Sequence, residues 1–333
     1  MAVILGIESS CDETSASVCI NGKVINNEIA SQDIHTQYGG VVPELASREH
    51  QRNIVPVVDH VINNAGIEVN ELNAIAYTRG PGLLGALLIG SSFAKSMAAS
   101  LNIPLIPIHH MKAHVLAHFI DDPRPDFPFI CLTVSGGHTQ ILKVKNATDM
   151  VILGQTQDDA VGEAFDKAAK LLGLPYPGGP MIDKLALEGD SDKFLFAKSE
   201  MPALDYSFSG IKTSILYFLR KELKQDNDFI EKNKHDLAAS IQKTLISMLM
   251  TKLVNAARQE GIRQIAIAGG VSANSGLRNT LKDEAEKNGW EIFIPDFQYC
   301  TDNAGMIAMS GHLLFEQRMF GKLTDSPLPR MPF

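Results

Sequence analysis

The chain opens on an apolar run, Val3-Ile4-Leu5-Gly6-Ile7-Glu8. A polar tract from Ser9 to Thr14 follows, then Ser15-Ala16-Ser17-Val18-Cys19-Ile20, which alternates with period two. That pattern predicts strand, polar turn, strand, a hairpin whose tip carries Asp12 and Glu13. Next come a predicted helix over 53–65, a strand over 73–78, a helix over 84–100, and a strand from Pro104 into His109-His110-Met111-Lys112-Ala113-His114. The strand–turn–strand pattern returns at Phe129 to Val134, Ser135-Gly136-Gly137-His138-Thr139 and Gln140 to Val144. Helices are predicted over 158–172, 180–188, 212–224 and 235–260, with a polar hairpin-like region at 193–212. A strand over 264–268, a helix over 275–288, a strand over 290–294 and a helix over 303–319 complete the pattern.

Two hairpins of one plan, each followed by mixed helix and strand, predict an α/β fold of two lobes with a cleft between them. The stretch Asp122-Pro123-Arg124-Pro125-Asp126-Phe127-Pro128 breaks any regular element and marks the boundary. The expected lobes are 1–125 and 126–300, the second with a helical insertion at about 187–260, and helix 303–319 packing back on the first. A length of 333 residues fits two domains, and 45% hydrophobic with 20% charged residues excludes a disordered or fibrous chain. The net charge of −8 does not hold nucleic acid by bulk electrostatics, so a polyanionic substrate needs a local basic patch or a basic partner. Cys11, Cys19, Cys131 and Cys300 form no CxxC motif, which fits a reducing compartment. The N-terminus carries no signal-peptide pattern, and Gly, Ser and Lys95 interrupt the apolar stretch 82–101. A soluble cytoplasmic protein without membrane association is expected.

On a helix, His110 and His114 stand on one face a turn apart, so both imidazoles reach one ion; such a pair also caps, packs or faces solvent. His109 and His118 make the whole segment His-rich. Asp302, in Cys300-Thr301-Asp302-Asn303 before the last helix, offers either a third ligand or an ordinary N-cap. Two histidines and one carboxylate leave positions open for a substrate oxygen. Met111 and Lys112 follow His110 where a zincin carries its glutamate, so a protease reading lacks its general base.

In Ser135-Gly136-Gly137-His138-Thr139 the glycines let backbone N–H groups approach an anion and the hydroxyls add donors; a plain hairpin turn is the alternative. The first hairpin offers Asp12, Glu13 and Thr14, whose carboxylates repel phosphate unless they orient water or a cation. Ala268-Gly269-Gly270-Val271-Ser272-Ala273-Asn274 offers a seat for adenine or ribose, or a tight turn with Asn274 as N-cap. That turn is not GxGxxG, so a Rossmann reading of it fails, and no GxxxxGK[ST] occurs, which excludes a P-loop. Glu163 and Asp166 share a helix face, and Asp183 follows Pro177-Gly178-Gly179-Pro180: carboxylates for a ribose diol, or a solvated charged face. No role follows for Ser207-Phe208-Ser209-Gly210-Ile211-Lys212-Thr213. On helix 84–100, Gly85, Ala86, Gly90 and Ala94 form a small-residue face suited to a partner helix or to the core.

Several motifs, taken in order, carry a resemblance. They are Gly6-Ile7-Glu8-Ser9-Ser10-Cys11-Asp12-Glu13-Thr14, Tyr38-Gly39-Gly40-Val41-Val42-Pro43-Glu44-Leu45-Ala46-Ser47-Arg48, Gly80-Pro81-Gly82-Leu83 and His109-His110-Met111. Val134 to Thr139, Gly162-Glu163-Ala164-Phe165-Asp166-Lys167, Ser207 to Gly210, Gly269 to Asn274 and Cys300 to Asn303 continue the series. Over residues 3 to about 312 the chain closely resembles the bacterial TsaD family, the tRNA threonylcarbamoyladenosine transferases once labelled glycoproteases.

The resemblance implies the actin, hexokinase and Hsp70 (ASKHA) fold, with the two hairpins as phosphate loops and the Gly269 to Asn274 turn as the adenosine loop. It implies one divalent metal, iron (Fe2+) first and zinc second, on His110, His114 and Asp302. It implies adenine nucleotide or acyl-adenylate contacts at Thr133, Val134, Ser135, Gly136, Gly137, Asp166, Gly179, Asp183 and Asn274. The archaeal and eukaryotic branch carries a tyrosine ligand where Thr133 stands, and close bacterial relatives often carry Glu where Lys112 stands.

The implied reaction moves the threonylcarbamoyl group from L-threonylcarbamoyl-adenylate to the exocyclic amine of the adenosine 3′ of the anticodon, in tRNAs reading codons that begin with A. Asp12 and Glu13 are candidate bases by position alone. The implied partners are the tRNA anticodon loop, a paralogous TsaB-type subunit expected to dock along helix 84–100, a TsaE-type ATPase, and a separate synthase supplying the adenylate. Two alternatives share the superfamily. A small-molecule O-carbamoyltransferase needs an extra adenylate-forming domain, for which 333 residues leave no room. A non-catalytic ASKHA partner subunit has no use for His110, His114 and Ser135 to His138.

Overall fold

The computed structural model describes residues 2–38, 40–199 and 201–333, so Gly39 of the Gly-Gly loop and Glu200 of the polar region lie outside the described residues. In chain order it forms β1 (Val3–Glu8), β2 (Thr14–Ile20), β3 (Lys23–Ala30), α1 (Pro43–Asn64), β4 (Ala74–Gly80), α2 (Leu84–Leu101), β5 (Leu105–His109) and α3 (His110–Leu116). There follow β6 (Phe129–Val134), β7 (Thr139–Val144), β8 (Met150–Gln155), α4 (Val161–Leu171), α5 (Gly178–Ala186), α6 (Ser209–Glu222), α7 (Phe229–Lys232) and α8 (Lys234–Glu260). The last elements are β9 (Gln264–Ala268), α9 (Ser275–Asn288), β10 (Glu291–Phe293) and α10 (Ala304–Glu316).

The chain divides into two units, Met1–Arg124 with Pro295–Phe333, and Pro125–Ile294. Each holds a five-stranded sheet, ordered β3-β2-β1-β4-β5 in the first and β8-β7-β6-β9-β10 in the second. In both, three antiparallel strands continue into two parallel ones, so the two sheets share one topology. The expected hairpins β1–β2 and β6–β7 are present, each extended by a third strand that the hydrophobic pattern did not reveal. β3 and β8 are edge strands and stay partly exposed, so their alternation is weak.

Two further expectations are corrected. α1 begins at Pro43, ten residues before the expected start, with the proline in the first turn where its missing N–H is harmless. Among the described residues the region 193–212 forms no hairpin: the chain runs irregularly to α6, tied by a parallel bridge between Thr156 and Tyr206.

Strand parity places the first unit's chemistry. Val3, Leu5 and Ile7 of β1 pack against α1 and α2, through Ile54, Val58, Ala94 and Ala98. The alternate residue Ile4 packs with Met306, Ile307 and Ala308 of α10. Gly6 and Glu8 share that parity. A Cβ on Gly6 would stand 2.5 Å from the Ala308 backbone nitrogen, and one on Gly311 would collide with Ala76 Cβ, so α10 lies directly on the sheet. The second unit buries Phe165, Phe208, Leu245, Leu249 and Ile267 in its own core.

The small-residue face of α2 is its core side. Ala86 and Ala94 are fully buried, and a Cβ on Gly85 or Gly90 would collide with Ser47 Oγ or Ser9 Oγ. Of the two readings of that face, the core one holds, while Leu84 and Leu88 on another side of the helix stay exposed. By length and composition α2 would suffice to cross a membrane. It packs against α1 and β4, and its Lys95 ammonium donates to the Asp325 carbonyl.

Candidate functional site

β5 ends at His109 and α3 starts at His110, so the helical register sets His110 and His114 one turn apart on the same face. The two rings meet edge to face, with centroids 4.8 Å apart. Asp302 precedes α10, and Asn303, not Asp302, caps that helix by accepting from the Met306 N–H at 2.9 Å. Freed from capping, Asp302 places Oδ1 3.3 Å from His110 Nε2 and 3.1 Å from His114 Nε2. The donor atoms of the three side chains lie within 4.8 Å of one another.

The fourth member of this centre escaped the sequence reading. Glu8 is fully buried, with Oε2 3.0 Å from His110 Nδ1. Its Oε2 also accepts from Thr78 Oγ1 at 2.6 Å, and its Oε1 accepts from the Ser10 N–H at 2.5 Å. Ser10 Oγ lies 3.2 Å from the same His110 Nδ1. Glu8 can only accept, so His110 carries its proton on Nδ1 and turns Nε2 toward the Asp302 carboxylate.

In neutral His110 that arrangement sets a lone pair against a carboxylate, which needs a cation between them. Without a metal, a proton fills the need. Burial alone would lower the His110 pKa, but the Asp302 and Glu8 carboxylates outweigh it and hold it well above the ordinary value. Burial would likewise raise Asp302, yet His110 and His114 hold it far below the carboxylate range. Two imidazoles and one carboxylate converging on a shared point is the donor set of a divalent transition metal, so these residues fit such an ion.

Asp12 and Glu13 sit in the β1–β2 turn of the same unit. Burial, then the Asp302 and Asp12 carboxylates, push the Glu13 carboxyl up to about 9, so in the metal-free protein it holds a proton at neutral pH. The turn is pinned from α1 by His50, which is fully buried. Its Nε2 donates to the Cys11 carbonyl at 3.0 Å, and Nδ1 accepts from Thr14 Oγ1 at 2.8 Å. The carbonyl fixes that tautomer, and burial keeps the ring's pKa low.

The other expected site residues belong to the second unit. Residues 135–138 close a tight turn: the Ser135 N–H donates to the His138 carbonyl at 2.8 Å, and the His138 N–H to Ser135 Oγ at 3.0 Å. Gly136 and Gly137 are exposed, and a Cβ on either would meet no protein atom within 4 Å. Thr133 and Val134 are fully buried in β6. Asp166 Oδ1 accepts from the Gly178 and Gly179 N–H groups, at 2.7 and 3.2 Å, capping α5. Asp183 receives the Ser275 N–H and hydroxyl at 2.9 and 2.7 Å, beside Asn274. Asn274 caps α9 through the Leu277 N–H at 2.9 Å and donates to Gln242 Oε1 at 2.7 Å. Asp166, Asp183 and Asn274 thus brace the helix starts around the Pro177–Pro180 turn and the Gly269–Asn274 turn.

Comparison with known proteins matches this arrangement to one group. The family model described as TsaD, tRNA N6-adenosine threonylcarbamoyltransferase, matches residues 23–309. The chain is 55% identical over 333 residues to the tRNA N6-adenosine threonylcarbamoyltransferase of Christiangramia forsetii, covering 99% of this chain and 98% of that protein. It is 58% identical over 315 residues to the protein of the same description in Phocaeicola vulgatus, covering 93% of each. Among solved structures, full-length HypF in its phosphate- and nucleotide-bound form aligns over 97% of this chain and 47% of that one, with TM-score 0.62 and 14% identity. Component A of the Acidaminococcus fermentans (R)-2-hydroxyglutaryl-CoA dehydratase covers 94% of this chain and 100% of its own, with TM-score 0.54 and 15% identity. Those two likenesses establish the ASKHA-like fold alone. The family model and the close relatives leave one assignment: the chain belongs to the TsaD family, the tRNA N6-adenosine threonylcarbamoyltransferases.

Proposed function

We infer that the chain transfers the threonylcarbamoyl group of L-threonylcarbamoyl-adenylate to the exocyclic amine of the adenosine 3′ of the anticodon, in tRNAs reading codons that begin with A. The product is N6-threonylcarbamoyladenosine. The observation that carries the reading is the near full-length identity above 50% with relatives of that description, in a chain whose His110, His114 and Asp302 converge. A small-molecule O-carbamoyltransferase or a non-catalytic partner subunit is not what these relatives are described as.

His110 Nε2, His114 Nε2 and Asp302 Oδ1 would hold one divalent ion, ferrous iron first and zinc second, as two imidazoles and a carboxylate favour. When bound, the ion supplies Lewis acidity toward a phosphate or carbamate oxygen. Glu8 fixes the tautomer and rotation of His110, so that Nε2 stays aimed at the centre. Ser135, Gly136 and Gly137 present a turn with room for an anion, and Asn274, Asp183, Asp166 and Gly179 frame the helix starts assigned to the adenosine.

The AMP moiety is the leaving group, which is what a poorly nucleophilic aromatic amine requires. Asp12 and Glu13, on the turn that His50 pins, are the groups of the first unit assigned to the amine's proton, which Glu13 takes only in its ionised form. The anticodon loop is already unpaired, so presenting its adenosine costs less than flipping a base from a duplex. The assigned partners are a paralogous TsaB-type subunit, a TsaE-type ATPase and a separate synthase for the adenylate, and the assigned compartment is the cytoplasm.

The test is transfer of labelled threonine from its carbamoyl-adenylate to tRNA by metal-loaded protein supplied with those partners. Label should appear in tRNA carrying the acceptor adenosine and not in tRNA where guanosine replaces it. Absence of label in both, with metal bound, would overturn the reading.

A further inference from the structure

We propose that the exposed face of α6 is a contact surface for the tRNA, gripping its phosphates with Lys212, Arg220 and Lys224 and an unpaired base with Tyr217. This rests on the reading of the chain as a tRNA-modifying enzyme and adds where the RNA is held.

α6 buries Ile211, Ile215 and Leu219 in the second unit's core. Its opposite side exposes Thr213, Tyr217 and Arg220, with Lys224 continuing the stripe just past the helix end, and Lys212 and Lys221 flanking it. Tyr217 is 64% exposed in the middle of these cations. The helix's one acidic residue, Glu222, pairs with Lys221 at 3.6 Å, which leaves Arg220 and Lys224 as the unpaired cations on the Tyr217 side, with Lys212 flanking from the first turn. Among the described residues Lys212, Arg220 and Lys224 make no ion pair. Some other lysines of this unit are paired, Lys143 with Glu260, Lys167 with Asp159, Lys193 with Asp236, Lys232 with Asp226 and Lys243 with Asp192, whereas Lys170, Lys184 and Lys282 make no ion pair among the described residues. A cationic stripe left unneutralised on a chain of net charge −8 is complementary to a polyanion.

The helix dipole does not explain the stripe. Arg220 and Lys221 lie in the last turn, where cations are favoured, but Lys212 lies in the first turn, where they are not. The ring of Tyr217 adds a π-face on which a base can stack, which the cations alone do not supply.

The helix is also firmly mounted. Asp158 accepts from Ser207 Oγ at 2.6 Å, Phe208 N at 2.8 Å, Ser209 N at 3.3 Å and Ser209 Oγ at 2.7 Å. Ser214 Oγ accepts from the Ala197 N–H at 3.0 Å, which lays the segment bearing exposed Lys198 along the first turns. The Ser-Phe-Ser-Gly tract thus gains a role: it locks the start of the helix that presents the cations.

The experiment measures binding of an unmodified tRNA transcript to the purified full chain between about 50 and 200 mM salt, alongside transfer kinetics with partners present. The variant Lys212→Ala/Arg220→Ala/Lys224→Ala should raise Kd at least about tenfold. It should flatten the slope of log Kd against log salt by about 2 to 3, at roughly 0.7 to 0.9 per phosphate contact. In transfer, KM for tRNA should rise with kcat unchanged. Tyr217→Ala should weaken binding at least about fivefold, and Tyr217→Phe should restore it. Lys282→Ala, exposed on α9, should change nothing.

A folded triple variant with wild-type Kd and slope overturns the proposal, as does lost affinity with an unchanged slope, or a wild-type chain that binds no tRNA at low salt. If the triple variant fails to fold, Arg220→Ala and Lys224→Ala are read singly, each against one contact's share of the slope. Polyglutamate binding lost in the triple variant while tRNA binding persists would assign the face to an acidic protein and overturn the RNA reading. A chain that binds tRNA through this face and transfers nothing overturns the assigned reaction alone, whereas transfer with an unmoved tRNA KM in the triple variant overturns this surface alone.

Discussion

Glu8 shows how one residue's role depends on its partner's distance along the chain. The i, i+4 spacing of His110 and His114 made their shared face legible, because a helix repeats locally. Glu8 stands at the end of an apolar strand, and its partner His110 is 102 residues away, a pairing no local pattern records. A fully buried carboxylate is costly unless paired, and that cost was the available signal. Asp302 was ambiguous between ligand and cap until Asn303 took the cap. Glu8→Gln keeps the shape but loses the charge that holds Nδ1–H of His110. It should lower metal affinity by about 10- to 100-fold, as outer-shell carboxylates of metal histidines do, while circular dichroism shows an intact fold. Metal content after dialysis equal to wild type would mean that Glu8 only fills space.

Among the elements, tight turns were legible and edge strands were not. The Ser135–His138 turn was read from its glycines, and its open surroundings make it an unusually clean test. A Cβ at Gly137 meets nothing in the protein, so Gly137→Val should shift stability by no more than about 0.5 kcal/mol. Binding of AMP should nevertheless fall at least about tenfold, or about 1.4 kcal/mol, because the side chain stands where a phosphate must approach. Unchanged AMP affinity by calorimetry would make the turn a plain hairpin.

The Asp158 clamp on α6 lay hidden in a tract that looked merely small and polar, since its acceptor precedes it by some fifty residues. Burial would raise the Asp158 pKa, but the Ser207 and Ser209 hydroxyls and two backbone N–H groups hold it below the ordinary value. A depressed carboxyl stabilises above its unfolded pKa near 3.8 and loses that contribution as pH falls through the folded value. Asp158→Asn should therefore melt about 2–4 °C below wild type at neutral pH, for a lost cap-like contribution of about 1 kcal/mol. The gap should close as pH falls below 3.8 and through the lower folded value. A gap that persists at low pH would mean the charge is not what holds the helix.

For the whole molecule, the charge balance decides how the enzyme meets its substrate. With 38 acidic against 30 basic residues, few tRNA phosphates can be neutralised by this chain's surface at large, and its grip must be local. The repetition of one sheet plan in both units was legible because each hairpin announces itself in sequence, whereas the face available to a partner was not. The small residues of α2 that looked like a docking seam are buried against Ser9 and Ser47, since a stripe of glycine and alanine reads alike whether it meets another chain or its own sheet. The proposed help from other chains does not depend on that stripe; the argument for it is the charge. The isolated chain should bind tRNA weakly and show little multiple-turnover transfer at about 150 mM salt, where the Debye length is about 8 Å. Adding the paralogous subunit and the ATPase should restore turnover, while lowering salt to about 50 mM should recover binding alone, by strengthening each phosphate contact without supplying new ones. Efficient turnover by the single chain at the higher salt would show that its own cations suffice and remove the requirement.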